Sequence, residues 1–195
     1  GDWLGYYYDN ETFSGAPKAA KVIKGSGPYG ELYENNGQGS PVFEDYKGFP
    51  SDHFSVRYVT AKRLPAGDYV LRTGADDSIE VYIDGKKVLN EIKSKYFHEN
   101  AIKVHISDRS VADNAEKDVH WIEVRYKEGI LGSKVECLLQ PYHEAVDVNI
   151  TDGWVGEFYN NESFSGNPVI LGGKAAIEPL NELNFTWGTG SPSPL

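Results

Sequence analysis

The sequence has one cysteine, no methionine and no apolar run near the ~20 residues that a membrane-spanning helix requires. A lone Cys137 excludes an intrachain disulfide and a thiolate metal site. It stands at strand spacing from Val135, so a small buried apolar residue is expected there. Cations are scarce: 19 Lys and Arg face 29 Asp and Glu, a net charge of −10. Nucleic acid and anionic lipid are both recognised by clustered cations, so neither is expected as a partner, and membrane insertion is not expected either. The five histidines never fall at H-E-x-x-H spacing, and neither a G-x-S-x-G elbow nor a Walker loop is present. Residues 25–30 match G-x-G-x-x-G, but Pro28 interrupts them and no helical stripe follows. A dinucleotide fingerprint needs a strand before it and a helix after it, so this stretch is assigned to a loop. The chain opens at Gly1 without a charged-then-apolar stretch, and is expected to be a mature or excised segment.

What is present begins with a repeat. Residues 3–17 read WLGYYYDNETFSGAP and residues 154–168 read WVGEFYNNESFSGNP, identical at nine of fifteen positions. The same offset carries Glu31-Leu32 onto Glu182-Leu183 and GQGSP at 37–41 onto GTGSP at 188–192. A period of this length is that of a domain rather than of a solenoid unit. The expected organisation is one complete domain at 1–146, a linker at 147–153, and the truncated start of a second copy at 154–195.

Within the first copy the hydrophobic period is two. Phe54, Val56 and Tyr58 alternate with polar residues, as do Ile79, Val81 and Ile83. The pattern returns at Ile102, Val104 and Ile106, at Ile122, Val124 and Tyr126, and at Val135, Cys137 and Leu139. Asp84-Gly85 marks a two-residue hairpin turn. Twenty-one glycines and ten prolines suit short strands joined by turns. The fold class expected is all-β, an antiparallel β-sandwich with little helix beyond a turn or two near 108–117. Trp3, Trp154 and the Tyr6-Tyr7-Tyr8 run are expected in the core and the sheets.

Five stretches in order, LGYYYDN with FSG at 4–15, DHFSVRY at 52–58, PAGDYV at 65–70, GADDS at 74–78 and VYIDG at 81–85, resemble the PA14 domain. That family comprises β-sandwich modules of toxins, glycosidases and adhesins. The resemblance spans essentially all of 1–142. It implies a non-catalytic, extracellular or cell-surface module that binds glycan, as part of a larger surface or secreted protein. In adhesin members two adjacent aspartates hold a calcium ion that chelates sugar hydroxyls; here they would be Asp76 and Asp77. The position after the pair, commonly glycine in the family, is Ser78.

The chemistry of that pair is open to two readings. Successive side chains on a regular strand point to opposite faces, so both carboxylates reach one ion only across a turn or a cis peptide. Calcium takes six to eight oxygens, and Glu128 with the loop beginning Gly129-Ile130 is the expected remainder of the site. Alternatively, Asp76-Asp77 caps a loop in solvent. Tyr96, Phe97 and His98 are candidate sugar-stacking residues, or else pack beneath a loop. The alternative function is a structural module that mediates assembly with other domains of the same surface protein and binds no sugar. The forty-five residues of 151–195, which hold the truncated copy, cannot bury a core of their own.

Overall fold

The computed structural model describes residues 1–92, 96–109, 116–142, 155–159 and 169–172. Ten strands build two antiparallel sheets. The first sheet holds six: β1 (Trp3–Tyr8), β2 (Ala19–Ile23), β4 (Phe54–Arg63), β6 (Ser78–Ile83), β7 (Lys86–Glu91) and β9 (Val119–Glu128), in the order β2-β1-β4-β9-β6-β7. The second holds four: β3 (Leu32–Gly37), β5 (Gly67–Asp76), β8 (His98–Ile106) and β10 (Ser133–Pro141), in the order β3-β10-β5-β8. Two further strands, β11 (Val155–Phe158) and β12 (Val169–Gly172), pair with each other as β1 pairs with β2. The all-β sandwich expected from the period-two pattern is the fold observed.

The alternating residues face one another between the sheets. Val56, Tyr58, Ile79, Val81, Ile122 and Val124 meet Leu71, Ala75, Val135, Cys137 and Leu139, all buried. Cys137 is a free thiol in this interior, and burial pushes its pKa up to about 12. Ile106 is buried, while Ile102 and Val104 pack against the core from its margin. Trp3 and Tyr7 are fully buried, whereas Tyr6 and Tyr8, pointing the other way along β1, are half-buried. Trp154 lies outside the described residues.

Two polar devices anchor the core. Tyr7 and Tyr58 each donate to Glu34 Oε2 at 2.6 Å, and Lys21 Nζ stands 2.6 Å from Oε1. Burial and the Glu34 charge raise both phenol pKa values far above the ordinary range. At the other end Lys62 donates to the carbonyls of Tyr29 and Gly30, the latter also accepting from Trp3 Nε1 at 3.0 Å. These bonds fasten the glycine-rich loop at 25–30, and no helix follows it. Its glycines serve packing: a Cβ on Gly30, whose φ is +61°, would stand 2.9 Å from the Gly1 carbonyl oxygen. Asp84 takes φ +49° and Gly85 φ +79°, the left-handed pair that the β6–β7 hairpin requires. Of the segment near 108–117, only its flanks are described, closed by Arg109 N donating to Lys117 O at 2.9 Å.

Candidate functional site

One end of the sandwich gathers acids from three loops. Strand β5 ends at Asp76 in the four-stranded sheet, and β6 begins at Ser78 in the six-stranded sheet. Asp77 alone makes that crossing, and the Asp76–Asp77 peptide is cis. Phe54 opens β4 opposite Glu128, the last residue of β9, so both reach the same edge. The loop from Gly129 to Gly132 then returns to β10, whose Lys134 lies opposite Asp76. Asp52, Asp76, Asp77 and Glu128 therefore converge although the sequence scatters them over some 76 positions.

Backbone bonds hold the arrangement. Gly129 N donates to Asp77 Oδ2 at 2.7 Å, and Gly129 O accepts from His53 N at 2.9 Å. Leu131 N donates to Asp52 Oδ1 at 2.9 Å, with Leu131 at φ +85°. The Tyr126 hydroxyl reaches Glu128 Oε2 at 2.7 Å and also the Asp76 carbonyl. A Cβ on Gly129 would come within 2.7 Å of Asp77 Oδ2, so glycine leaves room for that carboxylate.

Two oxygens are left over. Asp76 Oδ1 and Glu128 Oε1 are buried without a hydrogen-bond partner among the described residues. A buried carboxylate oxygen in that state carries its full desolvation cost. Burial accordingly raises the Asp76 pKa, reinforced by the Asp77 charge and opposed by His98. Burial also lifts Glu128 to about 8; the Tyr126 hydrogen bond opposes the rise, and the charges of Asp77, Asp76 and Asp52 add to it. No Lys or Arg forms an ion pair with Asp76 or Glu128 among the described residues. Such a cluster suits a hard cation, the charge that would relieve all four groups together. Side chains alone do not complete a shell. Among the described residues no three acid, thiol or imidazole side chains stand at metal-ligating spacing. Main-chain carbonyls, water or an external ligand would supply the remainder.

The family model of the PA14 domain matches residues 1–148. The chain belongs to the PA14 family. No curated protein matches it at a significant level. Its sandwich is similar to that of an anti-sigma factor domain-containing protein from Clostridium clariflavum, with TM-score 0.53 and 18% identity, over 85% of this chain and 56% of that one. Another anti-sigma factor domain-containing protein gives TM-score 0.55 at 17% identity, over 80% of this chain and 54% of the other. A β-glucosidase from Kluyveromyces marxianus, solved in complex with glucose, gives TM-score 0.51 at 12% identity, over 74% of this chain and 17% of the enzyme. The chain thus spans about half the length of the first and a small part of the enzyme, and the likeness at these identities is one of fold.

In this PA14 sandwich the residues expected at the site divide into two groups. Asp76, Asp77, Glu128 and Gly129 come together at the corner, and Ile130 and Leu131 form an exposed apolar rim beside it, 42% and 58% exposed. Tyr96 is 78% exposed at the entry to β8. Phe97 instead lays its ring over Gly74, with Lys134 Nζ 4.1 Å from the ring centroid. His98 pairs with Ala75, one residue from Asp76, and its Nε2 is buried without a partner among the described residues. Asp52 and Tyr126 had not been expected at the site. Asp52 lies in the DHFSVRY stretch, but its convergence with the aspartate pair is a property of the fold.

Proposed function

We propose that this PA14 domain is a non-catalytic, calcium-dependent carbohydrate-binding module of an extracellular or cell-surface protein. The observation that carries the reading is the pair of buried, partnerless oxygens, Asp76 Oδ1 and Glu128 Oε1, inside a cluster of four acids. Asp76, Asp77 and Glu128 would supply the charge that holds the ion, not all three at ligating distance as they stand, with carbonyls of the Gly129-Ile130 loop as further donors. Calcium retains open positions for neutral hydroxyl oxygens, which reconciles glycan binding with a net charge of −10. The exposed Tyr96 ring and the Ile130-Leu131 rim offer apolar surface to the faces of a sugar. Family membership supports the glycan reading, as does recurrence of the fold in an enzyme solved with glucose. A cell-surface or cell-wall glycan is the partner, and other domains of the same surface protein flank the module.

Isothermal titration with a panel of neutral cell-wall oligosaccharides, in calcium and in chelator, tests this. Binding in calcium that vanishes in chelator, and in Asp76→Asn, supports it. Calcium binding without any sugar heat would leave a structural ion and refute the lectin reading.

A further inference from the structure

The two central strands of the four-stranded sheet, β5 and β10, are buried on the face turned away from the core. Along β5 the core residues Tyr69, Leu71 and Ala75 alternate with Val70, Arg72 and Gly74, which point outward. Yet Val70 is 4% exposed, Arg72 2% and Leu138, opposite Arg72 on β10, 4%. Val70 and Leu138 stand apart from the core cluster. Neighbours on the same face account for its two ends: Tyr142 stacks with Lys103, 4.1 Å from ring centroid to Nζ, and Phe97 lies over Gly74. The middle row runs Leu138, Arg72, Ala101, with the Glu31 charge acting on the guanidinium, and its small Ala101 shields little. A single layer of side chains cannot bury its own arginine this far, so a second layer of this chain lies on it. Arg72 Nε and Nη2 find no hydrogen-bond partner among the described residues, and burial lowers the guanidinium pKa to about 10.

We infer that the second layer is the β11–β12 hairpin, making this face the seat on which the second repeat packs. The hairpin forms a two-stranded sheet that joins neither larger sheet, and a two-stranded sheet is marginal without a surface to pack on. Tyr142, which follows β10, donates its N–H to Asp68 O at 2.8 Å and sets its ring over Lys103 on this face. Residues 147–195 carry six carboxylates and a single lysine, a charge that would add to that of Glu31 near the buried Arg72 guanidinium. The interface is independent of the sugar site, which lies at one end of the sandwich rather than on a face.

Thiol labelling of the full chain tests the inference. In a Cys137→Ala background, Leu138→Cys should label at least about tenfold more slowly than an exposed control, Thr12→Cys, at a rate independent of protein concentration. Adding Phe158→Asp should restore fast labelling while far-UV circular dichroism keeps its β signal. Val70→Cys repeats the measurement should Leu138→Cys not fold. Three outcomes overturn the inference. The first is fast labelling without Phe158→Asp. The second is a slow rate unchanged by Phe158→Asp, which would assign the cover to the 24–31 loop. The third is protection that rises with concentration, which would assign it to a second copy of the chain.

Discussion

Replacing Glu128 with glutamine removes one charge from the acidic corner and keeps its shape. The glutamine oxygen still accepts from Tyr126, so the hydrogen bond at 2.7 Å has a counterpart in the variant. Burial lifts the parent carboxyl from 4.5 to about 8. Between those values the folded protein keeps a proton that the unfolded chain has lost. Stability from this group is therefore complete below about pH 4.5 and falls as pH rises through about 8. Each pKa unit corresponds to about 1.4 kcal/mol, so the full shift would be about 5 kcal/mol; relaxation around the charged form in a real protein takes up roughly half or more of it, leaving about 2 kcal/mol. In a domain of this size that is a difference in Tm of about 4–8 °C. In chelator, Glu128→Gln should melt higher than the parent at pH 8, and the gap should close towards pH 5. The slope should become shallower rather than flat, because Asp76 is also raised. Calcium should reverse the order: it stabilises the parent, more so at higher pH as bound protons leave, and stabilises the variant much less. Scanning calorimetry at four pH values, with and without calcium, measures both effects. Parallel melting curves across the pH range, with equal calcium shifts, would refute the charge argument.

Three further changes probe separate parts of the structure. Tyr126→Phe takes the hydroxyl from Glu128 Oε2 and from the Asp76 carbonyl, leaving a buried carboxylate without a donor; urea denaturation should show a loss of about 1–3 kcal/mol, and no loss would place both acceptors in water. Gly129→Ala puts a Cβ 2.7 Å from Asp77 Oδ2, so the carboxylate must turn aside; the apo protein should lose about 1 kcal/mol and its calcium-induced rise in Tm should vanish, whereas a retained rise would remove Asp77 from the site. Glu34→Leu leaves the Tyr7 and Tyr58 hydroxyls and the Lys21 ammonium without their common acceptor; a loss of about 3 kcal/mol or more is expected in urea, and a loss under about 1 kcal/mol would show the network to be dispensable.

Period-two alternation made the central strands legible because each of them has one face on the core and one elsewhere. The edge strands β2 and β3 were harder to read: AAKVI and LYENNG alternate between half-buried and exposed or carry buried Glu34, so hydrophobicity alone does not mark them. Phe43 and Phe49 lie outside any strand, yet pack edge-on against Tyr7 with centroids 4.8 and 6.0 Å away. No local period reports such a plug. The aspartate pair was legible as a motif, but Asp52 and Tyr126 join it only through the meeting of three loop ends. The most informative departure is in β5, where the alternation persists but the contrast in burial does not. A strand whose outward residues are Val70, Arg72 and Gly74 reads as half-solvated, with the arginine as its polar member. Its burial on both faces is the mark of a sheet with a layer on each side. Since the core supplies only one of those layers, the second must come from elsewhere in the chain. Truncation after residue 146 should therefore cost stability in the first domain itself, and equal urea midpoints for the full and shortened chains would show that the cover of the outer face is not the segment removed.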